Sequence, residues 1–377
     1  MITEKNMSSK ADSIVDLYTD LQQQIIFRII NLIGATNADK VDASNVLLWQ
    51  AEQLKKAGLL SNQTIELLAD VTGKAESQIR SLVLDDGRTI NNEINRQLEH
   101  LTDVHPKVMP DNSNILNNLL NQTYKDINNV TNETLGGNNQ ANNAAVRAFR
   151  KVVNQSTVET ISGLKTHERA VNDAIYKLAD SGLETNLVDS AGRRWALDSY
   201  VRSVVNTTAH RTFNETRMHS MGEFGVTLVT MDSHAASRPA CAPIQGHILN
   251  RVPRDDPNFD SEYDTIFDHG YGTPAGTQGI NCHHSLFPYV KGVSTNSFKP
   301  HDPDEAVKNG QIRQQQRALE RNVRRDKKML EVAKRLNDEE KINHYKNMLA
   351  THRGRIRQLV KDNDFLYRDY SREKIYK

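Results

Sequence analysis

Two short stretches about forty residues apart most constrain what this 377-residue chain can fold into. The first, 232–246, carries Asp232, His234, Arg238, Pro239, Cys241, Gln245 and Gly246. The second, 270–285, carries Gly270, Tyr271, Gly272, Pro274, Gly276, Gly279, Asn281, Cys282, His283 and His284. Glycine opens backbone conformations closed to other residues, and proline fixes φ and removes a donor, so this density of both predicts tight turns and not helix. Both cysteines of the chain lie here. The stretches therefore predict one small, loop-rich module inside a chain that otherwise reads as helix.

The helical reading rests on apolar spacing. Ile14, Leu17, Leu21, Ile25 and Ile29 share one helix face. A second segment runs from Val46 to Leu60, with Gly58 near its end, and Ser61 reads as the N-cap of a third. A long segment from about Ala75 to Leu101 stops before His105-Pro106, and Asp111 or Asn112 opens the next. Residues 136–143, rich in Gly and Asn, read as a linker. Helix resumes from Ala145 to Asp180, breaks at the loop Ser190–Arg194, and returns from Trp195 to Gly222. The period then changes: Val226–Met231 is β-branched and bounded by Gly225 and Asp232, which predicts a strand. From Asp304 helix continues to the end, with Asn337-Asp338 as the break of a helical hairpin or coiled coil. The expected class is mainly α with a small α+β module: an elongated helical N-terminal half, a Cys/His module and a basic helical tail. Four regions follow, at 1–135, 145–224, 225–300 and 304–377.

Charge is unevenly placed. The whole chain carries 48 Lys+Arg against 47 Asp+Glu, but residues 311–377 hold 19 against 10, a net of +9, leaving −8 for the rest. A basic tail on an acidic body fits nucleic acid or an acidic protein surface, or simply a solvated charged helix. Arg317, Arg321, Arg324, Arg325, Lys327 and Lys328 are its candidate contact residues. The tail lacks the interleaved aromatics of a single-strand stacking platform, so sequence-specific readout is not expected. No stretch approaches the roughly 18 apolar residues of a membrane span, and the polar start has no apolar leader segment. Hydrophobic residues make up 37% and mean hydropathy is −0.64, low for a compact enzyme. That composition fits exposed helices or a protein that finishes folding within an assembly.

The module admits several chemistries. His234, Cys241, Cys282 and His284 are the residue types of a structural zinc site, since thiolate and neutral imidazole can close a tetrahedral shell. Their spacing matches no zinc finger, and the adjacent Cys282-His283 pair is a poor donor pair. Alternatively the same residues pin loops: His234 and Arg238 bonding turn carbonyls, and the cysteines packing as small apolar groups. A cross-linked pair is a third arrangement, unexpected in a reducing compartment. A catalytic reading would use a cysteine beside histidine, or Asp232, His234 and Glu262 as acid–base groups. No nucleophile elbow, P-loop, HExxH or dinucleotide fingerprint supports it. The expectation is a non-enzyme with no small-molecule substrate and no required cofactor.

The order His-x3-Arg-Pro-x-Cys-x3-Gln-Gly, then Gly-Tyr-Gly, then Gly-x-Asn-Cys-x-His-Ser-x-x-Pro resembles tailed-phage minor capsid proteins. The nearest group is phage minor capsid protein 2, with a looser likeness to Mu F-type head morphogenesis proteins. Here it falls on His234, Arg238, Pro239, Cys241, Gln245, Gly246, Gly270, Tyr271, Gly272, Gly279, Asn281, Cys282, His284, Ser285 and Pro288. The basic helix from Gln316 to Arg325 is similar too, and the likeness covers roughly 195–375. It implies a minor component of a phage or prophage head, in the capsid interior or at the portal vertex, passing through host cytoplasm during assembly. Its implied partners are portal and capsid proteins, with packaged DNA reached through the basic tail, and its implied role is head assembly or DNA delivery. A related group carries toxin or ADP-ribosyltransferase domains fused to this module; no such added domain is expected here, which disfavours an effector, and the alternative kept is a nuclease-like or transferase-like module at 225–295 itself.

Overall fold

A computed structural model describes residues 2–34, 40–106, 108–136, 143–188, 192, 194–280 and 282–375. The helices are α1 (Glu4–Gly34), α2 (Val46–Lys55), α3 (Ala57–Arg80), α4 (Asp86–Thr102), α5 (Ser113–Thr131), α6 (Ala144–Ile161), α7 (His167–Ser181) and α8 (Leu197–Glu223). After the module come α9 (Pro303–Arg335) and α10 (Glu339–Lys361). The fold is mainly α with small antiparallel sheets, as the periodicity predicts.

The apolar stripe of α1 is the spine. Ile14, Tyr18, Leu21, Ile25 and Ile29 are buried, and α1 packs along α8 and α3. One continuous apolar core joins residues from α1 to α10, with Met7 and Ile342 at its limits in sequence. A smaller second core lies inside the module and is closed by Ile94 and Leu98 of α4 and Met218 and Met221 of α8.

Several boundaries differ from the periodic reading. Ser61 is no N-cap: it is buried inside α3, which begins at Ala57 after a break at Lys56. The break leaves the α2–α3 junction one residue long, so Gly58 also sits inside helix and ends nothing. The segment expected from Ala75 starts earlier, because α3 and α4 join through a π-helical turn at Ser81–Asp85. Such a turn shifts the register of the apolar face without interrupting the backbone ladder. The periodicity also missed a hairpin of β1 (Glu184–Val188) and β2 (Arg194–Ala196) beside the expected loop. It is short and irregular, which gives no period to read. Most of that loop (190, 191 and 193) and most of the expected linker (137–142) lie outside the described residues.

The break at Asn337-Asp338 is where it was expected. Asn337 takes φ 52° and the Asp338 side chain caps α10 by accepting from the Lys341 N–H. Pairing α9 and α10 buries His352 against Asp326, Nδ1 to Oδ2 at 2.6 Å. Arg335 of α9 lies 3.6 Å from the centroid of the Phe27 ring, tying the hairpin to α1.

Candidate functional site

The module is built on β3 (Leu228–Met231), flanked by antiparallel β4 (Ile248–Asn250) and β5 (Leu286–Tyr289) in the order β4-β3-β5. Val226–Met231 was read as this strand, and β3 occupies its last four residues. Between β3 and β4 the chain makes two tight turns over Arg238–Gln245. In these the Cys241 N–H donates to the Arg238 carbonyl and the Gln245 N–H to the Cys241 carbonyl. Cys241 and Gln245 therefore sit one turn apart, and both are buried. The chain re-enters the sheet at Gly246, whose φ of 77° and 2.6 Å approach of a would-be Cβ to Pro300 N leave no room for a side chain.

The second stretch follows a 3-10 turn at Ile266–His269. Gly270 caps that turn in the left-handed region, Tyr271 stacks edge-on to Phe267 at 5.2 Å, and exposed Gly272 continues the bend. A Cβ on Gly276 would stand 1.9 Å from the Gly270 carbonyl, so this loop closes only around glycine. Arg238 straps the two stretches together, donating from Nη1 to the Ile280 carbonyl at 2.9 Å and from Nη2 to the Gly276 carbonyl at 2.8 Å. Pro239 lies exposed beside it. Asn281 is outside the described residues.

The Cys282 N–H closes a turn on the Gly279 carbonyl, and between there and β5 residues 282 and 284 are buried while 283 is exposed. Cys282 and His284 thus turn inward together, while His283 turns outward and pairs with Glu4 at the start of α1, 3.1 Å away. The inward pair meets Cys241: Sγ to Sγ is 3.8 Å, and Cys282 Sγ to His284 Nδ1 is 3.6 Å. Cys241, Cys282 and His284 are 0%, 3% and 4% exposed. The other ring nitrogen of His284 lies 3.0 Å from Gln245 Oε1, which also accepts the His234 backbone N–H at 3.0 Å. An oxygen that already accepts one N–H can only accept again, so His284 Nε2 carries the proton and Nδ1 presents its lone pair to sulfur.

His234 lies on the other side of that ring, with centroids 4.6 Å apart, and its Nε2 is 3.4 Å from Asp232 Oδ1. Burial opposes its charge, but the Asp232 carboxylate outweighs this and raises its pKa. The Cys241 thiol is held down at about 6, chiefly by the Cys282 thiol and further by Thr277 and Arg238. Cys282 is pushed up to about 12 by Cys241 and by burial. Glu262 is not part of this cluster: it pairs with Lys291 at the surface. A hollow lined by Pro243, Ile244, His247 and Tyr263 also lies off the cluster.

Sequence reasoning missed the peg that joins module to helices. Arg217 of α8 is buried, donates from Nε to the Leu286 carbonyl at 3.2 Å, and lies between the rings of Phe213 (5.1 Å) and Phe287 (4.8 Å). Burial lowers its pKa to about 10. The four-residue spacing of Phe213 and Arg217 was the one available signal, and nothing in it marks the arginine as inward-facing.

The basic tail is less free than its composition implies. Arg317 donates to Glu320 at 2.8 Å, Arg324 to the Arg372 carbonyl, Arg325 to Asp180, and Lys327 to the Glu373 carbonyl. Lys328 is partly buried, which lowers its pKa. Arg321 stays exposed. On α10, Lys346, Arg357 and Lys361 are exposed and have no hydrogen-bonded or ion-pair partner among the described residues. Separations of eleven and four residues put these three on one face.

Comparison with known proteins agrees with the motif order and extends it. The family model described as phage minor capsid protein 2 matches residues 2–361, so the N-terminal helices, beyond reach of the motifs, are covered as well. The chain is 38% identical over 361 residues to a structural protein of Lactococcus phage LL-H, covering 95% of this chain and 97% of that one. It is 48% identical over 120 residues to a structural protein of Lactococcus phage mv4, covering 32% of this chain and 98% of the relative. No solved structure matches.

Proposed function

This chain belongs to the phage minor capsid protein 2 family, and from that premise we propose that it docks its helical body on neighbouring head proteins at the portal vertex. The observation that carries this reading is a set of apolar side chains left in solvent where α2 meets the end of α6. Leu47 and Leu48 of α2 are 61% and 72% exposed, Val158 and Ile161 at the end of α6 are 64% and 48% exposed, and Leu164 in the turn after it is 74% exposed. Contacts of Gln50 with Asn154 and of Trp49 with His167 bring these two groups alongside each other. Clustered exposed leucines are costly in water and mark a surface that another protein covers. No helix among the described residues is long and apolar enough to cross a membrane.

The module supports a structural role within that scheme. Its cysteines and His284 are enclosed, its Arg238 strap is spent on loop carbonyls, and α4 and α8 close its core. A thiol nucleophile buried to that degree meets no substrate, which weighs against the nuclease-like or transferase-like alternative. Portal association is tested with Leu48→Asp combined with Leu164→Asp. The doubly charged chain should fold with unchanged helicity, co-purify poorly with the portal protein, and enter assembled heads at least about tenfold less than the parent. Incorporation at the parental level would overturn the docking surface.

A second contact has its own support in the unpaired cations of α10. They form a face that would neutralise DNA phosphates in a filled head, or meet an acidic portal surface. We place the contact there, and not on Arg317, Arg324, Arg325 and Lys327, which already hydrogen-bond within the chain.

A further inference from the structure

We propose that Cys241, Cys282 and His284 bind one zinc ion through Sγ, Sγ and Nδ1. The first support is spacing in three dimensions. With Zn–S near 2.3 Å, Zn–N near 2.05 Å and tetrahedral angles, two sulfurs on one ion stand about 3.8 Å apart and sulfur and nitrogen about 3.6 Å apart. The observed separations are 3.8 Å and 3.6 Å, and the three donor atoms all lie within 4.8 Å of one another.

The orientation of His284 is a second, independent observation. A ligating imidazole normally donates its distal N–H to an oxygen that fixes its tautomer and rotation. Gln245 Oε1 does this here, itself held by the His234 N–H. A histidine merely filling a core has no need of a lone pair aimed at sulfur. The objection from sequence, that adjacent Cys282 and His283 would make an awkward pair, falls away because Cys282 and His284 are buried together while His283 is exposed and pairs with Glu4. His234 borders the far side of the same ring and groups with Asp232, not with the cysteines. Zinc(II) suits two sulfurs and imidazole. On binding, each thiol gives its proton to solvent, and the ion holds the two loops together.

The test uses the full chain without a histidine tag, purified under reducing conditions. Elemental analysis and native mass spectrometry should find one zinc per chain. Both thiols should resist a thiol reagent until a chelator is added. Replacing zinc by cobalt(II) should produce a thiolate-to-cobalt charge-transfer band with the strong visible absorption of a tetrahedral site. Cys282→Ser and His284→Ala should each abolish that spectrum. Gln245→Ala should keep the stoichiometry and weaken zinc affinity about 10- to 100-fold. If a variant fails to fold, the cobalt spectrum of the unaltered chain decides. Freely reactive thiols in a metal-free chain would overturn the proposal, as would a mass lighter by two hydrogens, the mark of a disulfide.

Discussion

Replacing Arg217 by methionine tests how the module is held to the helices. The arginine contributes one charged hydrogen bond to the Leu286 carbonyl, about 2 kcal/mol, and two desolvated cation–π contacts of about 1 kcal/mol or more each. Against this stands the cost of burying the charge. The fall of its pKa from 12.5 to about 10 corresponds to about 3 kcal/mol at 1.36 kcal/mol per unit. The balance favours arginine by about 1 kcal/mol. Methionine keeps the stem and most of the volume, but leaves the carbonyl without this donor, a loss of up to about 1 kcal/mol more. Arg217→Met should therefore destabilise by about 1–2 kcal/mol in urea unfolding, and Arg217→Ala by about 3–5 kcal/mol because a cavity is added. Hydrogen exchange should locate the loss at β3 and β5, with the slope of the urea transition unchanged. A methionine variant as stable as the parent, or more so, would refute the reasoning. It would show that the buried charge costs more than its contacts return.

Other perturbations read other parts of the fold. Gly246→Ala forces a Cβ into Pro300 at positive φ and should cost about 2–4 kcal/mol in urea unfolding; a change below about 0.5 kcal/mol would mean the loop yields freely. Burial alone would raise the pKa of Glu373, but Arg368, Arg353 and Lys327 outweigh it and lower it. The unfolded chain thus takes up this proton at higher pH than the folded one. The resulting stability is fully present above the unfolded value near 4.3 and is lost as pH falls through the lower folded value. Limited proteolysis under acid conditions should accordingly release the segment around Glu373 from α9 before the hairpin opens, whereas simultaneous loss would refute the ordering. Changing Lys346, Arg357 and Lys361 to glutamine should lower the salt slope of DNA binding by about 2 to 3 without loss of stability, and an unchanged slope would remove α10 from the interface.

Much of the architecture is set locally and so is readable in the chain itself. Apolar residues three and four apart placed the α1 face, the β-branched run before Asp232 placed the central strand, and Asn337-Asp338 placed the hairpin turn. The crowding of Gly, Pro, Cys and His marked 232–300 as the module. In each case the deciding interaction lies within a few residues, so sequence alone determined it. Periodicity says which face is apolar but not what stands opposite. Only the tertiary structure decided that α4 and α8 close the module, and that the Arg217 side chain turns inward between two rings. It also committed Arg317, Arg324, Arg325 and Lys327 of α9 to Glu320, Asp180 and the C-terminal segment, leaving Lys346, Arg357 and Lys361 of α10 in solvent. Spacing already marked Cys282-His283 as a poor donor pair and His284 as the candidate. Only the tertiary structure supplied what holds His284 inward, a glutamine 39 residues away, and what holds His283 outward, Glu4 of α1, because partners so far apart in the chain meet only once the loops have folded together.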